Sequence, residues 1–76
     1  MPRLGPIKRE AFIKKLKALG FDGPFPGKRH EFMVIGAYSQ TIPSDEEYSR
    51  DMHSRLLKQV CSAIGRDISR EEWQAL

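Results

Sequence analysis

Residues 23–27 read Gly-Pro-Phe-Pro-Gly, and this stretch limits the possible folds more than any other. Proline has no N–H to give to a ladder, and glycine has the most conformational freedom to lose, so the segment cannot run through the middle of a sheet. At most it is a short edge strand leading into a turn. It also divides the hydrophobic pattern. Before it the apolar residues recur at helical spacing, and after it they first alternate as strands do.

The helical part comes first. Gly5-Pro6 ends a short leader. Phe12, Leu16 and Leu19 then share one face, with Ile13 on its flank, which predicts a helix over 8–19. Gly20 stands where a left-handed cap would stop it. Lys14 and Lys17 point away from the apolar stripe, and Lys8 and Lys15 lie along its edge. Beyond the Gly-Pro segment, residues 30–35 predict a strand with His30, Phe32 and Val34 on one side and Glu31, Met33 and Ile35 on the other. Gly36-Ala37 makes a turn, 38–42 forms the next strand, and Pro43 closes it. Ser44-Asp45-Glu46-Glu47 fits a capping box with Ser44 as N-cap and acidic residues at the positive end of the helix dipole. It predicts a second helix over 45–64, with Tyr48, Met52, Leu56, Val60 and Ala63 on one face, flanked by Leu57 and Ile64, and Gly65 at its end. Ser69-Arg70-Glu71-Glu72 is a second capping box, opening a short last helix whose Trp73 and Leu76 pin it to the body. The expected fold is therefore α+β. Its order is α-β-β-β-α, with a three-stranded antiparallel sheet, two helices on one face and a short C-terminal helix.

Seventy-six residues suffice for a single domain over 1–76. A domain that small buries only about 60% of the surface its unfolded chain exposes. No apolar run approaches the roughly 18 residues of a membrane span, and no apolar stretch follows Arg3 as in a signal peptide. The single cysteine, Cys61, excludes an internal disulfide, so a reducing cytoplasm is the expected location. The net charge of +3 conceals an uneven distribution. Residues 1–30 hold eight basic residues against two acidic ones, a net +6, while 31–76 hold five against eight, a net −3. The basic half suits a polyanion such as RNA; the plainer reading is a merely soluble basic surface.

Few residues could carry chemistry. The two histidines are His30 and His53. His53 and Cys61 stand two turns apart on one predicted helix, too far to share an ion, so no metal site and no cofactor are expected. Gly20, Gly23 and Gly27 match neither common nucleotide fingerprint, and no G-x-S-x-G elbow supports a serine triad. Cys61 reads as a small core residue. What remains is Gly27-Lys28-Arg29-His30 at a turn-to-strand junction. Lys28 and Arg29 supply positive charge for a phosphate, and Arg29 can grip two of its oxygens. An imidazole beside them can move protons near neutral pH. A solvent-facing histidine with two basic neighbours is also a commonplace of surfaces, and spacing alone does not separate the two.

Several of these residues recur together elsewhere. Ile7 through the helix to Leu19-Gly20-Phe21, then Gly27-Lys28-Arg29-His30, then Thr41-Ile42-Pro43, and finally Leu56 through Ile68-Ser69-Arg70-Glu71-Glu72-Trp73 resemble the HicA family across nearly the whole chain. The most specific part is the Leu-Gly-Phe helix end, followed about nine residues later by a Gly-x-x-His turn. HicA proteins are small toxins of bacterial toxin–antitoxin pairs, messenger-RNA interferases with a double-stranded-RNA-binding-like fold. The resemblance implies a metal-independent endoribonuclease with His30 as catalytic residue, messenger RNA as substrate and a HicB-like antitoxin as protein partner. Lys28, Arg29, Lys8, Lys14, Lys15 and Lys17 are the candidate phosphate contacts. The family's usual element is Gly-Ser-His, whereas here Lys28-Arg29 stands between glycine and histidine. The family often has a second histidine after the proline, where this chain has Ser44-Asp45-Glu46-Glu47. Two other readings stay open: a non-catalytic RNA-binding module in which His30 is only a contact, and a basic domain that meets an acidic protein.

Overall fold

A computed structural model describes residues 4–76; Arg3, counted above in the basic half, lies outside the described residues with Met1 and Pro2. The chain enters through a strand too short to leave a periodic signal, β1 (Ile7–Lys8), and passes straight into α1 (Arg9–Ala18). β2 (Asp22–Phe25), β3 (Glu31–Ile35) and β4 (Tyr38–Ile42) follow, then a second short strand, β5 (Glu47–Tyr48), then α2 (Arg50–Ile64) and α3 (Arg70–Ala75). The fold is α+β. β2, β3 and β4 form an antiparallel sheet in that order, and β1 pairs with β5 in a separate antiparallel ribbon.

The sheet has one covered face. Met33 is fully buried, as are its cross-strand partner Gln40 and the nearby Ile42, and they lie in one core with Phe12 and Leu16 of α1 and Leu56 and Val60 of α2. Both long helices therefore pack on the side that Met33 faces. The buried Gln40 went unnoticed in the sequence. Its amide is satisfied on both ends: Tyr38 donates its hydroxyl to Oε1 at 2.6 Å, and Nε2 donates to the Thr41 carbonyl at 3.1 Å and to Gln59 Oε1 at 2.9 Å. A buried amide without those partners would cost on the order of 1–3 kcal/mol.

Helix ends follow their signals except in one place. Gly20, at φ 107°, closes α1 in a Schellman turn: its N–H donates to the Lys17 carbonyl and the Phe21 N–H to that of Leu16. Phe21 and Leu16 are both buried in the same core. Gly65 ends α2 in the left-handed region at φ 76°. Ser69 caps α3, accepting from the Glu72 N–H at 3.1 Å, but the Glu72 carboxylate turns to Arg66 instead of back to the cap. Trp73 is buried completely, whereas Leu76 is exposed and pins nothing.

The exception is the start of the second helix. It begins at Arg50, with Ser49 and not Ser44 as N-cap, its hydroxyl accepting from the Met52 N–H at 3.2 Å. Residues 44–48 leave the helix path because Tyr48 gains more by pairing with Ile7. There its ring is fully buried and meets Phe12 edge-on at 5.6 Å, and its hydroxyl donates to the Pro43 carbonyl at 2.7 Å. The Arg9 N–H extends the ribbon to the Glu46 carbonyl at 2.9 Å. Replacing Ser49 by Ala should therefore cost about 1 kcal/mol in denaturant unfolding, and replacing Ser44 by Ala should cost almost nothing. The reverse ranking would return the helix start to residue 45.

Burial pushes the Tyr48 phenol up to about 12, against a modest opposing pull from the Arg9 charge and a further rise from Asp45. The folded state thus holds the phenolic proton more tightly than the unfolded one. The stability this lends is complete below about pH 10 and is lost as pH rises through about 12, a total of about 2–3 kcal/mol. Unfolding measured from pH 9 to 12 should show that loss in the native protein and a flatter profile in Tyr48→Phe.

Candidate nucleic-acid interface

The turn between β2 and β3 is built by its glycines. A side chain at Gly27 would place its Cβ 2.3 Å from the His30 carbonyl oxygen, so only glycine lets the turn close on itself. Gly23, at φ 118°, begins the irregular part of β2, where a Cβ would lie 3.0 Å from the Phe32 carbonyl. The closed turn presents Lys28, Arg29 and His30, all three exposed, at the entrance of β3.

The residue after His30 fixes this turn to the body. Glu31 forms an ion pair with Arg9, whose Nε also donates to the Pro43 carbonyl at 3.2 Å. Arg9 thereby joins the start of α1 to the beginning of β3 and the end of β4. Lys8 immediately precedes Arg9 and His30 immediately precedes Glu31, so the two candidate surfaces flank one ion pair. Nothing in the sequence pattern marks that pair, because its members lie on separate elements.

The lysines of the basic half divide. Lys8, Lys14 and Lys17 gather around one shallow depression with Ala11, Ile13 and a single acid, Glu10. Lys15 does not join them. Its Nζ donates to the Trp73 carbonyl at 2.8 Å and to the Leu76 carbonyl at 3.4 Å, and lies 5.6 Å from the centre of the Trp73 ring. Unlike the other candidate phosphate contacts, it is engaged as a clamp on α3. Lys8 also has an acid opposite it, since Glu47 is its partner in the β1–β5 ribbon.

The second histidine is engaged differently from the first. His53 is 5% exposed, its Nδ1 2.8 Å from the Gly5 carbonyl and its Nε2 2.8 Å from the Trp73 indole nitrogen. A carbonyl only accepts and an indole N–H only donates, so Nδ1 carries the hydrogen and Nε2 offers its lone pair. Both nitrogens are occupied. No three His, Cys, Asp or Glu side chains come together among the described residues in a way that could hold an ion. Cys61 is partly buried against the core. Among the described residues no helix is long and apolar enough to cross a membrane.

Two aromatic residues stand beside the basic turn. Phe25, the last residue of β2, is the register partner of Phe32, and their ring centres are 5.7 Å apart at an interplanar angle of 43°. The sequence placed Phe32 on the side of the sheet shared with Val34, but gave no reason to pair it with a phenylalanine between two prolines.

Gly27→Ala tests whether the turn depends on this closure. The clash should cost about 1–3 kcal/mol, typical of overpacking, and should move the NMR resonances of His30. An alanine variant of unchanged stability with unmoved His30 resonances would mean the turn is loose.

Compared with known proteins, the chain matches no protein-family model, no curated protein and no solved structure.

Proposed function

We propose that this protein is a metal-independent endoribonuclease, a messenger-RNA interferase toxin of the HicA kind, acting through His30. One observation carries the reading. Of the two histidines, His53 has both ring nitrogens engaged in the core, while His30 is exposed on a glycine-closed turn between Lys28, Arg29 and a neutralised Glu31. The α-β-β-β-α order and the basic surface of Lys8, Lys14 and Lys17 suit RNA as well.

The chemistry needs little more than this set. The 2′-hydroxyl of one nucleotide attacks the adjacent phosphorus, and neutral His30 takes its proton. The P–O5′ bond breaks, and the leaving oxygen takes a proton from water. Arg29, with Lys28 beside it, stabilises the negative charge that gathers on the phosphorane oxygens. The products are a 2′,3′-cyclic phosphate and a 5′-hydroxyl. An imidazole suits the proton transfer at cellular pH. In a cytoplasmic setting such an activity requires restraint, and a HicB-like antitoxin covering His30, Lys28 and Arg29 would provide it. Acidic groups on that partner would speed its encounter with the basic surface.

Cleavage of a long transcript should persist in EDTA and leave 2′,3′-cyclic phosphate ends. His30→Ala should slow it by about 10²-fold or more, with the fold and RNA affinity nearly unchanged. An alanine variant that cleaves at the native rate, or a reaction stopped by EDTA, sinks the proposal. Salt-dependent RNA binding by a native protein that never cleaves would favour the non-catalytic module in its place.

A further inference from the structure

Three-stranded sheets in small α+β domains have two faces, and here the described residues bury only one of them. Met33 points into the core, so Phe32 and Val34 on either side of it point the other way. Phe25 joins them as the register partner of Phe32. None of these three belongs to the buried core or to the partly buried residues packed against it, and Phe25 is 42% exposed. The two rings are tilted at 43°, so neither covers the face of the other.

The basic turn adjoins this pair. Phe25 and Phe32 are the residues from which the turn departs and to which it returns, and a Cβ on Gly27 would lie 3.5 Å from Phe32 Cδ1. An aromatic pair with Phe25 exposed and Phe32 half-buried is thus set directly beside Lys28 and Arg29. Apolar surface alone would fit many partners, but apolar rings with two adjacent cations fit one chemistry best. Unpaired nucleotides offer flat bases to stack and phosphates between them to pair. A duplex offers phosphates but keeps its bases stacked inside, out of reach of a phenylalanine on a flat sheet.

We infer that the Phe25–Phe32 pair is a stacking platform for an unpaired base, with Lys28 and Arg29 holding the neighbouring phosphates. The inference rests on the RNA reading above and deepens it: the strand delivered to His30 is single-stranded. Binding and reaction would share one hairpin tip. The rings hold the base, the cations hold the backbone, and His30 at the entrance of β3 meets the adjoining sugar.

The probe is a fluorescein-labelled 12-nucleotide 2′-O-methyl RNA of mixed unstructured sequence, which cannot be cleaved through its 2′-oxygen, compared with its own duplex by fluorescence anisotropy. The native protein should bind the single strand more tightly. Phe25→Leu, which changes an exposed residue, should keep its circular dichroism spectrum yet lose about tenfold to a hundredfold in single-strand affinity, the range of one lost base–aromatic stack. Its dependence on salt should not change, because no phosphate contact has been removed. Phe25→Trp should restore the affinity. A native protein that binds neither RNA overturns the RNA reading and the platform with it. A native protein that binds RNA, but prefers the duplex or binds the single strand equally well after Phe25→Leu, overturns the platform alone.

Discussion

A chain of two hydrogen bonds holds the ends of this molecule to its middle. The Trp73 indole N–H donates to His53 Nε2, and His53 Nδ1 donates to the Gly5 carbonyl. Three segments far apart in the sequence meet there: the leader, α2 and α3. Helix α3 has six residues, too few to persist alone in water. What keeps it in place is the indole, buried against Phe12 at 5.7 Å, with the Lys15 ammonium on its carbonyls. Burying an indole removes on the order of 150–250 Å² from water, roughly 4–6 kcal/mol before entropy is counted. Its N–H would make that burial unfavourable if it had no acceptor, and the imidazole is the acceptor. An apolar residue at position 53 would fill space and leave the indole unsatisfied.

The same economy sorts the cations. In a domain with so little core, long charged side chains are drawn into holding elements together. Arg9 ties α1 to both ends of the β3–β4 hairpin, and Lys15 closes on α3. Lys8 faces Glu47 across the short ribbon. The charge of the N-terminal half is therefore larger than the charge it can offer a ligand. Among the described residues of that half, Lys8, Lys14 and Lys17 around α1, and Lys28 and Arg29 on the turn, remain exposed for a polyanion.

Periodicity made most of this fold legible. The stripe of Phe12 and Leu16, the alternation around Met33, and the left-handed glycines at positions 20 and 65 are local signals, and each local signal agrees with the structure. The start of α2 misled because Ser44 and Ser49 are both acceptable caps, Ser44 followed by three acidic residues and Ser49 by Asp51 in the first turn. The choice between them is made at a distance, by the burial of Tyr48 against Phe12 and Ile7. Two-residue strands such as β1 and β5 contain no repeat to detect. Gln40 looked like an ordinary strand polar residue, since its partner Gln59 lies on another element. The candidate site was legible as a run of residues, Gly27 to His30, but not as a surface. Its aromatic neighbours come from pairing register, and the ion pair at its base from the seating of α1 beside the sheet; both are properties of the folded chain.

That ion pair bears on the site more than its position suggests. Glu31 adjoins His30, and a free carboxylate there would repel a phosphate approaching the turn and oppose Lys28 and Arg29. Bound to Arg9, its charge is compensated on the inner face of the sheet, where the strand alternation has already turned it. The outer face is left to Phe32. Under the proposed reading, one strand would separate three tasks over three consecutive residues: His30 at the entrance for reaction, Glu31 inward for attachment, Phe32 outward for contact. The turn closes Gly27 onto the His30 carbonyl, so Lys28 and Arg29 form a short exposed arc whose two ends meet. Compared with the Gly-Ser-His element of the family that the sequence resembles, Lys28-Arg29 puts two positive charges where that element has a hydroxyl.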